Sequence, residues 1–87
     1  MVAFPKEQIV NCRYGPSIAY AVVGELRPGK HAEVIGKSPD LAWWHVRNPS
    51  NPSTNCWLSS EFTDTEGNIE AVPVATAPQV TVSAVLV

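Results

Sequence analysis

The sequence predicts a small all-β domain. The spacing of its turn signals and its amino-acid composition both indicate this fold class. Residues 9–62 alternate short apolar runs with turn signals at intervals of about ten residues, as small barrels and sandwiches do. Eight Pro and five Gly among 87 residues argue against long helices. The chain is 45% hydrophobic and 16% charged, which is too apolar for a disordered chain. Because so short a chain buries one small core, we expect a single five-stranded barrel.

The turn signals define the strands in order. They are expected at residues 9–13, 21–26, 31–35, 42–47 and 55–59. Pro28 and Gly29 predict a type II turn between the second and third strands, because Pro fixes one φ and Gly accepts a positive φ. The doubled Asn-Pro-Ser at residues 48–53 predicts a loop, since Pro donates no ladder hydrogen bond. Alternation within the strands assigns to the inner side Val22 or Val23, Leu26, Ala32, Val34, Trp44, Val46 and Leu58.

The segments outside the barrel differ from it in composition. Residues 1–8 are expected to be an N-terminal lead-in, and they lack the basic segment and apolar run of a signal peptide. Residues 63–78 begin acidic and become rich in Pro, Ala and Val, which is typical of a connector between domains. Residues 79–87 alternate like a strand and are expected to pair with this barrel or with a second copy. We therefore interpret the chain as one domain of a larger protein.

Charge and spacing exclude several classes of function. The formal net charge is -2 and all six Lys and Arg lie at or before Arg47, so we expect no nucleic-acid partner. No window of 18 uninterrupted apolar residues exists, so we expect no membrane span. Cysteine and histidine occur without the close spacing of a zinc site. A barrel of this size is also expected to offer no cleft that could desolvate a substrate and orient a catalytic base. The expectation is a non-enzyme without a metal or cofactor.

Two cysteines, Cys12 and Cys56, lie in similar tripeptides on predicted strands. They are interpreted as disulfide partners on neighbouring strands, which would stabilise so small a core and would indicate an oxidising compartment. The alternative is a pair of buried, unpaired thiols in a cytosolic protein, since Cys often serves as a small hydrophobic residue.

A series of short motifs runs through the predicted barrel. It comprises Asn11-Cys12-Arg13-Tyr14-Gly15-Pro16-Ser17, Tyr20, Val22-Val23-Gly24, Leu26, Pro28-Gly29, Val34-Ile35-Gly36, Trp43-Trp44, Val46-Arg47 and Trp57-Leu58-Ser59-Ser60. With these motifs, residues 9–62 resemble the bacterial SH3 (SH3b) family. The resemblance implies an SH3-like five-stranded barrel in an exported protein, with binding to cell wall or peptide in some members. Cys12 and Cys56 depart together from the family pattern, which strengthens the disulfide interpretation.

Candidate ligand-binding residues lie on one strand and in the adjoining loops. If Val46 faces the core, Trp43, His45 and Arg47 share the opposite face, where an aromatic ring can stack on a sugar or peptide and a guanidinium can bind a carboxylate. Tyr14, Tyr20 and Asp40 are added because SH3-like barrels usually bind through such loops. The alternative is that Trp43 covers the barrel end and Arg47 is a solvated charge. Trp57 is expected in the core, and Arg13 is expected to donate to turn carbonyls.

The resemblance to bacterial SH3 domains, together with these observations, favours a non-catalytic binding module of an exported bacterial protein, located outside the cell or in its envelope. Its expected partner, as the resemblance implies, is cell wall peptidoglycan or a peptide or protein ligand. The alternative function is structural, with residues 79–87 adding a strand to a partner's sheet and forming a homodimer.

Overall fold

The computed structural model of this chain describes residues 1–77, and within them it contains seven strands and two short 3₁₀ helices. The strands are β1 (Val2–Pro5), β2 (Val10–Arg13), β3 (Val22–Leu26), β4 (Ala32–Lys37), β5 (Trp43–Arg47), β6 (Asn55–Ser59) and β7 (Thr63–Glu66). The 3₁₀ helices span Ser60–Phe62 and Ile69–Ala71. All strand pairs are antiparallel, and the sheet order is β3-β2-β6-β5-β4-β1-β7.

The predicted all-β class is confirmed, but the predicted number of strands is wrong. All five expected strands are present, with ends within two residues of the predicted ones. The open sheet has two further strands, because β1 and β7 pair with each other along four register positions and β1 also pairs with β4. Both lie in segments expected to be lead-in and connector. Each is four residues long, and alternation over so short a stretch carries little signal.

The turn between β3 and β4 has the predicted geometry. Gly29 has a φ of 88°, and the Lys30 backbone N–H donates to the Arg27 carbonyl at 3.0 Å. The Pro28-Gly29 pair therefore forms the turn that its backbone preferences predict, and this turn joins β3 to β4.

Inward-facing side chains of β1 to β6 form the core. Of the predicted inner residues, the buried ones are Leu26, Ala32, Val34, Trp44, Val46 and Leu58. The assignment of Val22 or Val23 to the core is wrong, since they are 49% and 42% exposed. The register of β2 against β3 shifts between Cys12 and Arg13, so that Gly24 lies opposite the inward-facing Cys12 and Val22 lies opposite Arg13. This bulge turns the two valines away from the core.

The predicted pairing of Cys12 and Cys56 is confirmed. The disulfide joins β2 to β6 with a Cα–Cα distance of 5.4 Å, and both residues are fully buried. Because its partners are 44 positions apart in the sequence, the bond strongly limits the conformations of the unfolded chain.

The loop between β5 and β6 covers the outer edge of β3. Asn48 Nδ2 donates to the Val23 carbonyl at 3.1 Å, and Ser50 Oγ accepts the Glu25 backbone N–H at 3.2 Å. The Ser50 N–H in turn donates to Asn48 Oδ1 at 2.9 Å, and Asn48 is only 3% exposed. Its amide lies where a Cβ on Gly24 would project, so glycine is required at that close approach. Side chains thus satisfy backbone groups that an edge strand would otherwise leave open.

The chain after β7 lies against the end of β4. The Lys37 N–H donates to the Pro73 carbonyl at 3.0 Å, and the Ala75 N–H donates to the Lys37 carbonyl at 2.9 Å. Lys37 Nζ donates to the Ile69 carbonyl at 2.8 Å, and Val72 is buried in the core. The segment expected to be a connector therefore contributes a strand, a core residue and an edge contact. The strand predicted at residues 79–87 lies outside the described residues.

We expect reduction of the disulfide to destabilise the domain strongly. A cross-link over a loop of this size contributes about 4 kcal/mol in the chain-entropy model. For a small domain this corresponds to a melting temperature lower by roughly 15 to 30 °C. Calorimetry with and without reductant measures the change, and the variant Cys12→Ala/Cys56→Ala should not respond to reductant. Two reactive thiols in protein unfolded without reductant would contradict the pairing.

The two Asn-Pro-Ser copies in the loop between β5 and β6 allow a matched test of how this loop covers the edge of β3. Asn48→Ala removes a buried amide and leaves the Val23 carbonyl unpaired, which should lower the unfolding free energy by about 1 to 3 kcal/mol. Asn51→Ala changes the same residue in the second copy, where the side chain is exposed and, within residues 1–77, bonds only to Ser53. Denaturant titration should find Asn51→Ala close to the parent, and sedimentation should show self-association of Asn48→Ala alone. Equal stability of the two variants would disprove the assigned role of Asn48.

Candidate functional site

A groove of about 720 Å³ crosses one end of the sheet. Four parts of the chain line it: residues 6–11 with Arg13, Ile18, the start of β5 at Ala42 and Trp43, and residues 59–62. Its apolar side chains include Ile9, Ile18 and Phe62, which are exposed, and Trp43, which is half-buried. A volume of this size is in the range of ligand-binding clefts, and the groove is the candidate functional site.

Backbone hydrogen bonds hold the groove walls in place. The Lys6 N–H donates to the Phe62 carbonyl at 3.1 Å, which fastens the segment before β2 to the first 3₁₀ helix. The Ser60 N–H donates to the Ala42 carbonyl at 2.9 Å, which fastens the same helix to the start of β5. The walls therefore meet through main-chain contacts and are largely preformed.

Arg13 fixes the turn that carries Ile18. Its Nη1 donates to the Ile18 carbonyl at 3.2 Å and to the Tyr20 carbonyl at 2.9 Å. This confirms the prediction that Arg13 is a structural donor to turn carbonyls. Its guanidinium also lines the groove, beside Ile18, whose side chain is 79% exposed.

Trp43 is held by the loop that precedes it. Its N–H donates to Ser38 Oγ at 3.0 Å, and the Ser38 N–H donates to the Trp43 carbonyl at 3.0 Å. Within this loop the Ser38 hydroxyl and the Ala42 backbone N–H donate to Asp40, and these bonds hold the pKa of the Asp40 carboxyl below its usual value. The next residue, Leu41, has a left-handed φ of 61° and an exposed side chain. Asp40 thus shapes the loop beside Trp43 and does not line the groove.

The three candidates on the outward face of β5 do not form one site. Trp43 lines the groove, whereas His45 stacks on Trp57 with ring centroids 4.5 Å apart. Arg47 Nε donates to Glu33 Oε1 at 3.2 Å in an exposed ion pair. Trp57 is buried, as expected, at only 2% exposure, and it packs against His45 outside the main cluster of core side chains. Of the predicted row, Trp43 alone reaches the groove.

The tyrosine candidates form a separate pair in the turn after β2. The rings of Tyr14 and Tyr20 lie 6.3 Å apart between centroids, and the Tyr20 ring covers Gly15. Neither tyrosine lines the groove, although Ile18 of the same turn does.

Sequence reasoning missed three apolar residues of the groove, namely Ile9, Ile18 and Phe62. Ile9 begins the first predicted strand but was assigned to neither face, whereas Ile18 lies in a turn and Phe62 follows the fifth predicted strand. For Ile18 and Phe62 the available signal was their position, because large apolar side chains outside strands are candidates for exposed contact surfaces.

Neither a metal-binding cluster nor a helix able to span a membrane is found within residues 1–77. Within residues 1–77 no three His, Cys, Asp or Glu side chains come together as a metal-binding group. The 3₁₀ helices of the same residues are too short to cross a bilayer.

His45 should make the stability of the domain depend on pH. Burial lowers the pKa of its imidazole below the usual 6.5, so the unfolded chain takes up the proton first as the pH falls. The contribution of neutral His45 is complete above about pH 6.5 and is lost at lower pH. Unfolding free energies measured from pH 8 to 5 should therefore decrease for the parent and decrease less for His45→Gln. His31→Gln, which changes an exposed histidine in the same way, is measured alongside for comparison. If the unfolding free energy of His45→Gln changed with pH in parallel with that of the parent, His45 would not be the cause of the pH dependence.

Comparison with known proteins adds no relationship to this picture. No protein-family model, no curated protein and no solved structure matches the chain.

Proposed function

We propose that this chain is a non-catalytic binding module of an exported bacterial protein and that it recognises cell wall glycan or peptide. The observation that carries the proposal is the groove, in which the half-buried Trp43 lies beside the exposed Ile9, Ile18 and Phe62. Exposed apolar side chains that converge on one concave surface are typical of a site that binds a partner.

The resemblance to bacterial SH3 domains supports this proposal. The strands predicted together with that resemblance are present at the expected positions, and Arg13 of the central motif organises the turn at the groove. We propose on this basis that β2 to β6 form an SH3-like unit, to which β1 and β7 are added.

The disulfide supports the proposed location. A buried cystine is compatible with an oxidising compartment, where such bonds persist. On this basis we propose that the protein is located outside the cell or in the cell envelope.

Trp43 has the central role in the proposed recognition. Its ring offers a flat apolar surface for a sugar face or for the apolar part of a peptide. Ile9 and Phe62 extend that surface, and the amides of Gln8 and Asn11 line the same groove as hydrogen-bonding groups. Because the Trp43 backbone is bonded on both sides to Ser38, little ordering of this segment is needed on binding.

Trp43→Ala should weaken retention on purified peptidoglycan while the domain stays folded. We expect a loss of about 1 to 3 kcal/mol in binding, as for other buried aromatic contacts at interfaces. Co-sedimentation of the oxidised protein measures the bound fraction, and thermal unfolding verifies the fold. Phe62→Ala serves as a second groove variant should Trp43→Ala unfold.

Val74→Ala is the matched control, because Val74 is exposed and lies outside the groove lining. It should sediment like the parent. If folded Trp43→Ala and Phe62→Ala sedimented with peptidoglycan as well as Val74→Ala does, the groove would have no role in binding.

A further inference from the structure

The last part of the described chain runs toward the end of the sheet that carries the groove. Val74 forms a parallel bridge with Lys37, so residues 73–75 follow the direction of β4. β4 ends at Lys37, which lies opposite Trp44 of β5. The chain is therefore directed toward the beginning of β5, where Trp43 lines the groove.

Ala75 also lies beside the face of the sheet that carries Trp43. A Cβ on Gly36 would be 2.8 Å from the Ala75 Cβ and 3.3 Å from the His45 Cβ, so Ala75 and His45 are neighbours across Gly36. His45 and Trp43 are two positions apart in β5 and share its outward face, at a separation of about 7 Å. Both the direction and the face of this segment thus point to the groove.

The residues that follow match the groove in reach and in chemistry. Residues 79–87, called the tail here, carry no charged side chain, and their first apolar residues are Val80 and Val82. An extended chain spans about 3.3 Å per residue, so the five steps from Ala75 to Val80 cover up to about 17 Å. That length exceeds the two-residue step along β5 from His45 to Trp43. The tail can therefore bring apolar side chains to the exposed apolar side chains of the groove.

We infer that the groove holds the tail of its own chain, with Val80 and Val82 against Trp43 and Phe62. The tail is then a built-in competitor of any external partner of the groove. This inference goes beyond the proposed function and does not rest on it, because the tail occupies the groove whether or not an external ligand is bound.

The covalent connection favours the tail of the same chain over the tail of a second copy. A short linker gives an attached segment an effective concentration on the order of millimolar, which a second copy reaches only at millimolar protein. An apolar segment of strand-like sequence without charges is also prone to aggregate when it is left uncovered. Docking in the groove covers it without the need for a partner.

Tryptophan fluorescence reports on the groove, because Trp43 is half-buried whereas Trp44 and Trp57 are buried. Acrylamide quenching is measured for the full chain, for Val80→Asp/Val82→Asp and for Thr81→Asp/Ser83→Asp. The last variant is the matched control, because it adds the same two charges at the intervening positions, which point to the opposite side of an extended chain. Thermal unfolding verifies that each variant is folded.

Val80→Asp/Val82→Asp should raise the Stern–Volmer quenching constant by about twofold, because two carboxylates are not accommodated against apolar side chains and the tail leaves Trp43. The control should match the parent. An unchanged constant in Val80→Asp/Val82→Asp, or an equal rise in the control, would overturn the inference. Quenching of the parent that falls with rising protein concentration, together with dimers in sedimentation, would assign the tail to a second copy and would also overturn it.

Retention on purified peptidoglycan separates this inference from the proposed function. Val80→Asp/Val82→Asp should bind with a dissociation constant lower by about twofold to tenfold, since an occupied groove reduces the fraction of molecules that can bind. A rise in quenching without retention of either protein would refute the proposed function and leave the tail inference standing. Retention that depends on Trp43, with unchanged quenching in Val80→Asp/Val82→Asp, would refute the tail inference and leave the proposed function standing.

Discussion

The joint between β2 and β6 is the contact on which the rest of the fold depends. Within the described chain β3 pairs only with β2, and β2 reaches the other strands through β6. That ladder has a single register pair, Arg13 with Trp57, whereas β5 and β6 share five. The disulfide between Cys12 and Cys56 lies at this joint, so a covalent bond is present where the sheet has its shortest ladder.

The groove extends across the same joint. Ile9 and Arg13 belong to the β2 side, and Trp43 and Phe62 belong to the β5 and β6 side. The separation of its walls therefore depends on how β2 is attached to β6. Arg13 follows Cys12 directly and fixes the Ile18 turn, so the position of that wall is set one residue from the cross-link.

Local sequence patterns predicted what depends on neighbouring residues and missed what depends on distant pairing. Alternation assigned Trp44 and Val46 to the core and Trp43 to the other face, and the Pro-Gly turn was predicted from backbone preference alone. By contrast, β1 and β7 exist because two distant segments pair, and no local pattern contains that information.

The same limit applies to the candidate site. The sequence identified Trp43 because it lies within a regular strand. It missed the groove around Trp43, because the groove is built from irregular segments that tertiary hydrogen bonds bring together, such as Lys6 with Phe62. The assignment of Val22 or Val23 to the core was wrong for a related reason, since a single bulge reverses the face that alternation assigns.

The covered edges of the sheet favour the proposed binding through side chains of the groove over binding by strand addition. The β3 edge is covered by Asn48 and Ser50, and the outer edge of β4 is covered by β1 and by residues 73–75. The remaining edge strand, β7, is four residues long and carries the exposed acidic Asp64 and Glu66. A partner that added a strand to β3 or β4 would have to displace contacts that already satisfy the backbone. In the groove the proposed partner would instead contact exposed apolar side chains, and it would break none of the hydrogen bonds that hold the groove walls.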